Sequence, residues 1–180
     1  MIRELLERGA SSHTSIIVAG EGPALSYDQL RGEVDSLVST LRRLGIQRTD
    51  RIAMALPNGL EMIVSFLAAS IAGTAAPLNP AYKAEEFRFY LDDTNAAALI
   101  VPKGGAEQAR LAAGDRIRLI EIGLDSQGIQ VSWQGAEGKA AGSALPEKDD
   151  IALVLHTSGT TSRAKRVPLF ARVSANDHLM

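Results

Sequence analysis

Apolar residues at Leu30, Val34, Leu37, Val38, Leu41 and Leu44 recur at the interval of one helical face. Ser26-Tyr-Asp-Gln29 in front of them has the form of a capping box, and Gly45 stops the run. The pattern predicts a helix between these signals. Arg51 to Leu56, unbroken and ended by Pro57, reads instead as a strand, and Asn58-Gly-Leu-Glu61 caps a second helix whose Met62, Phe66 and Leu67 face inward until Gly73. Ala75 to Leu78 is a short strand entering the Asn79-Pro80 turn, Ala84 to Leu91 is helical, and Ala96 to Val101 is a further strand. A helix over Gly104 to Leu111 and a strand over Arg118 to Ile122 continue the alternation. Upstream, Met1 to Arg8 is an amphipathic helix, Ser15 to Ala19 a strand and Gly20 to Pro23 a turn. Gly123 to Pro146, rich in Gly, Ala and Ser, reads as an irregular excursion before an apolar strand resumes at Ile151. Strands alternating with helices imply parallel pairing through right-handed crossovers, an α/β fold with a mostly parallel sheet and helices on both faces.

Composition narrows the functional classes. The chain has 180 residues, 46% hydrophobic and 22% charged, enough for one globular core. A net charge of −2, with no basic stripe bearing aromatics, gives no footprint for nucleic acid. The longest apolar stretch, Met62 to Ala76, is interrupted by Ser65, Ser70, Gly73 and Thr74 and is too short for a membrane span. Cysteine is absent, which excludes disulfides and thiolate chemistry and fits a reducing, cytoplasmic setting. The three histidines, His13, His156 and His178, have no metal-site spacing.

The candidate chemistry lies where Ile151-Ala-Leu-Val-Leu155 runs into His156-Thr157-Ser158-Gly159-Thr160-Thr161-Ser162-Arg163-Ala164-Lys165. A branched apolar strand feeding such a loop places it at a strand end, where open α/β sheets keep their ligands. The hydroxyls of Thr157, Ser158, Thr160 and Thr161 are donors for anionic oxygens, and successive turn amides form an anion-binding concavity. Gly159 permits close approach, and Lys165 supplies a mobile point charge for a β- or γ-phosphate. The run is not a Walker A loop: Ala164 replaces the second glycine, and Arg166 stands where the magnesium-binding hydroxyl belongs.

Thr157 to Lys165 resembles the phosphate-loop signature of the adenylate-forming superfamily, which comprises acyl- and aryl-CoA synthetases, luciferases and peptide-synthetase adenylation domains. His156, Ser162-Arg163 and Val167-Pro168-Leu169 are similar to the oxalate–CoA ligase branch, as are Ala76-Pro-Leu-Asn-Pro-Ala-Tyr82 and Glu85-Glu-Phe-Arg-Phe-Tyr-Leu91. Leu25-Ser-Tyr-Asp-Gln-Leu30 and Asp50-Arg-Ile-Ala-Met-Ala-Leu-Pro-Asn58 match earlier segments of the family in the same order. Two positions depart from it. Ala164 stands where proline is usual, and Arg166, where glycine is usual, puts a second cation beside Lys165 in a position to clash with the turn or compete for phosphate.

The resemblance implies an incomplete N-terminal subdomain of the adenylate-forming fold: residues 1–169 a partial AMP-binding domain, 170–180 a divergent tail, and the C-terminal catalytic domain absent. It implies ATP and Mg2+ with coenzyme A as co-substrate, and a small carboxylic acid, oxalate, activated through an acyl-adenylate. Thr157, Ser158, Gly159, Thr160, Thr161, Ser162 and Lys165 would hold the nucleotide, with no catalytic residue or metal ligand on this chain. His156 is either a contact to nucleotide or substrate or a structural residue at the strand end. The chain alone is expected to be inactive, and a peroxisomal location is the alternative for a full-length parent. The competing function is a non-catalytic nucleotide- or protein-binding fragment.

Overall fold

The computed structural model describes residues 2–18, 24–134, 137–139, 142, 144, 146–157 and 165–171. After α1 (Ile2–Glu7), β1 (Thr14–Ile17) and β2 (Ala24–Ser26) form a small antiparallel pair. There follow α2 (Tyr27–Arg43), β3 (Arg51–Met54), α3 (Leu60–Ala72), β4 (Thr74–Pro77), α4 (Ala84–Thr94), β5 (Ala96–Pro102), α5 (Glu107–Ala113), β6 (Arg118–Asp125), β7 (Gly128–Trp133), β8 (Ile151–Thr157) and β9 (Lys165–Phe170). The large sheet has the order β7-β6-β5-β3-β4-β8-β9. Its inner pairings are parallel, while β7 on β6 and β9 on β8 are antiparallel.

That order explains why both faces are covered. The chain steps from β3 to β4 in one direction, then returns past β3 to β5 and β6. With right-handed crossovers, a reversal of direction moves the connecting helix to the other face. Accordingly α2 and α3 pack on Ile52, Met54, Ala98 and Ile100, whereas α4 and α5 pack on Ala53, Ala55, Leu99 and Val101. Alternate residues of β3 and β5 thus serve two cores, which is why these strands read as continuous apolar runs.

The local signals of α2 work as its sequence predicts. Ser26 Oγ accepts from Gln29 N at 3.2 Å and Gln29 Oε1 accepts from Ser26 N at 2.9 Å, closing the capping box. At the other end Gly45 adopts φ +85°, its amide donates to Arg42 O, and Ile46 N donates to Leu41 O. This is a Schellman closure, and Leu41 and Ile46 lie in the same core.

Several expectations are corrected. The N-cap of α3 is Gly59, with no side-chain cap bond, rather than Asn58. Leu60, Val64, Ala68 and Ile71 are its buried stripe; Met62, Phe66 and Leu67 are only partly buried. A predominantly apolar helix gives little rotational information, so neighbouring α2 and the sheet decide which stripe is covered. The stretch from Gly123 to Pro146 is not irregular throughout. Residues 123–125 extend β6, and β7 folds back on it, its Ile129, Val131 and Trp133 packing against the first core. Arg43 lies 5.4 Å over the Trp133 ring, and Glu33 accepts from Ile129 N. α5 begins at Glu107, after Gly104 and Ala106 with positive φ. The turn at Gly20 to Pro23 lies outside the described residues.

Candidate functional site

β8 and β9 form a hairpin on one flank of the sheet, and the candidate loop joins them. β8 runs parallel to β4, with Ala75 opposite Leu153, and the buried Thr74 hydroxyl donates to Ile151 O. The loop therefore leaves the C-terminal end of a parallel strand, the position expected of a ligand site in an open α/β sheet. It returns not into a helix but into β9, whose Pro168 is tolerated because an outermost strand has no further ladder to donate to.

Of the predicted site residues, Thr157 and Lys165 are described. They are direct partners in the β8–β9 register, both exposed, and their side chains share one face of the ribbon. Among the described residues no carboxylate pairs with Lys165, so its ammonium is available to an anion. Ser158, Gly159, Thr160, Thr161 and Ser162 lie outside the described residues, as do Arg163 and Ala164.

The next rung presents the opposite face. His156 and Arg166 are register partners, and both reach the end of α4. The His156 side chain is only 5% exposed, and its Nε2 lies 3.0 Å from Asp93 Oδ2. Arg166 Nη1 donates to the main-chain carbonyl of Asp93 at 2.6 Å. Arg166 is therefore turned away from the face of Lys165, while the turn it was expected to crowd lies outside the described residues. The physical reason is strand alternation: adjacent residues on β9 point to opposite faces.

Aromatic rings continue this contact. The Tyr90 ring sits 4.6 Å from that of His156 and stacks on Tyr82 at 4.9 Å and 16°. Burial, assisted by a hydrogen bond with Tyr90, pushes the Tyr82 phenol up to about 12. His156 is thus held by α4 at one end of the candidate loop, while its buried Nδ1 has no hydrogen-bond partner among the described residues. Asp93 carried no functional signal in the sequence, and Tyr82 and Tyr90 stood only inside family-like segments, not as site residues. Asp93 stands 63 residues before His156, and only the packing of α4 against β8 joins them.

Among the described residues no group of three or more His, Asp or Glu is placed to hold a metal ion, and no helix is long and apolar enough to cross a membrane. An exposed lysine and threonine flanking a hydroxyl-rich loop are suited to polyphosphate, whose own oxygens would carry a magnesium ion.

The AMP-binding enzyme family model matches residues 6–178. The chain belongs to this family. This member of the AMP-binding enzyme family is 42% identical over 150 residues to an oxalate–CoA ligase of Arabidopsis thaliana, covering 79% of this chain and 28% of the relative. It is 38% identical over 183 residues to a probable CoA ligase, CCL9, of Humulus lupulus, covering 92% and 33%. Its fold is that of ATP-bound MatB from Rhodopseudomonas palustris, with a TM-score of 0.70 at 24% identity over 94% of this chain and 34% of that one. The chain spans about a third of the length of these two curated relatives.

Proposed function

We propose that this chain is the phosphate-gripping part of an AMP-forming acid–CoA ligase that activates a small carboxylic acid, oxalate. The observation that carries the reading is the exposed Thr157–Lys165 pair at the loop-bearing end of the β8–β9 hairpin. Similarity to oxalate–CoA ligase supports the acid, and the ATP named for a structural neighbour supports the nucleotide.

In the first step a carboxylate oxygen of the acid attacks the α-phosphorus of ATP. The bond from that phosphorus to the bridging oxygen breaks, and pyrophosphate leaves. In the second, the sulfur of coenzyme A attacks the acyl carbon, the thiol gives up its proton, and AMP departs. The burden on the protein in the first step is to position the phosphates and neutralise the charge growing on pyrophosphate. Lys165 supplies the countercharge and Thr157 a hydroxyl donor; Ser158, Gly159, Thr160, Thr161 and Ser162 supply further hydroxyls and amides. Mg2+ travels with the phosphates. Residues 1–169 act as the partial nucleotide-binding domain and 170–180 as a divergent tail.

Calorimetry with ATP and magnesium tests the proposal. Saturable binding that weakens in Lys165→Ala supports it; no binding by the folded chain overturns it. The acid is tested by ATP–pyrophosphate exchange on a polypeptide of the relatives' length carrying this chain, where oxalate is expected to outperform other small acids.

A further inference from the structure

At the end of α4 the main-chain carbonyls lack helical partners and must be satisfied by other donors. Asn95 N donates to Asp92 O, and the Thr94 hydroxyl donates to Tyr90 O. Asp93 O is taken instead by Arg166 from β9, a cation at the negative end of the helix dipole. The Asp93 carboxylate meanwhile accepts from His156 Nε2 on β8. One residue therefore holds both strands of the hairpin, one position before the loop on β8 and one position after Lys165 on β9.

We propose that Asp93 is a positioning residue for Thr157 and Lys165, fixing both ends of the phosphate loop to α4 through His156 and Arg166. This rests on the nucleotide-binding reading for its consequence, though not for its geometry. β9 has no neighbour on its far side in the described sheet, and β8 is joined to β4 by one registered pair, at Leu153, and by the Thr74 hydroxyl bond to Ile151 O. Neither link reaches the loop end of the hairpin, where the two bonds to Asp93 supply what the ladder does not. A positioned Lys165 meets phosphate without first losing conformational freedom. With Nε2 engaged by a carboxylate, His156 is also kept in the Nε2–H tautomer.

Peptide-resolved hydrogen exchange on the full chain separates this role from general stabilisation. In Asp93→Ala and in Arg166→Met, exchange at the facing ends of β8 and β9 is expected to rise about tenfold, the worth of one charge-assisted hydrogen bond, with β3 and β5 unchanged. Arg166→Lys, which keeps a cationic donor, is expected to restore protection. Unchanged exchange at the hairpin, or equal acceleration across the sheet, overturns the proposal. The same variants are expected to weaken Mg–ATP binding about three- to tenfold. If the wild-type chain binds no ATP while exchange responds as stated, the nucleotide reading fails and the Asp93 anchor stands.

Discussion

Thr157 and Lys165 face each other across the last described rung of the β8–β9 ladder, exposed on the same face, while His156 and Arg166 one rung back point the other way. The hairpin thus separates two jobs by strand alternation alone. One face is free to meet an anion, and the other is bound to α4.

This separation makes substitutions at adjacent positions distinguishable. Lys165→Ala is expected to weaken Mg–ATP binding about tenfold or more by calorimetry, since it removes a full countercharge, with the melting temperature unchanged because the side chain is exposed. Thr157→Val, which removes a single neutral donor, is expected to cost less, about threefold to tenfold.

Tyr82 should ionise above the ordinary phenol range. Its neutral form is favoured first by burial and then by the hydrogen bond with Tyr90, raising it from 10.0 to about 12. Ultraviolet titration of the folded chain is expected to show a step near 12 that disappears in Tyr82→Phe. Because the folded value is raised, the stabilisation is complete below the ordinary phenol value and is lost as pH climbs through the folded one.

Glu121 predicts an acid limb. Its carboxyl is held below the ordinary 4.5 chiefly by the hydrogen bond from Arg110, which also donates to Pro102 O and Gly105 O. A depressed carboxylate contributes stability above its ordinary value and loses it as pH falls through the lowered one. Arg110→Gln is therefore expected to lower the melting temperature at neutral pH and to flatten its decline in acid, read by calorimetric melts across that range. A slope identical to wild type would remove the Arg110–Glu121 pair as its cause.

The core and the cap should differ in scale. Leu41, with 0% of its surface exposed, sits between α2 and the sheet, and Leu41→Ala is expected to cost about 2–5 kcal/mol in urea unfolding. Ser26→Ala, which opens the capping box, is expected to cost about 1 kcal/mol.

Exposed Leu155, Leu169 and Phe170 cluster on the same hairpin. Leu169 faces Leu153 and Phe170 faces Ile151 in the register, so this ribbon carries more apolar surface than an outer strand usually shows to solvent. The excess explains why Ile151 to Leu155 reads as an apolar strand although Leu155 is exposed.

What the sequence determined by itself was local and periodic. The α2 box at Ser26 and Gln29, its closure at Gly45, the apolar strands β3 and β5 and the strand–helix alternation are written in residues a few positions apart, because caps and amphipathic periods are short-range physics. The alternation of Ile129, Val131 and Trp133 was legible too, but was masked by the Gly-, Ala- and Ser-rich stretch around it. The order of family-like segments, ending in Thr157 to Lys165, also placed the chain among adenylate-forming enzymes. Only the tertiary structure decided which stripe of the predominantly apolar α3 is buried, that β9 returns along β8, and that Asp93 meets His156 and Arg166 across 63 and 73 residues. Those contacts depend on how α4 lies against a strand far along the chain, and no local pattern of residues encodes that distance.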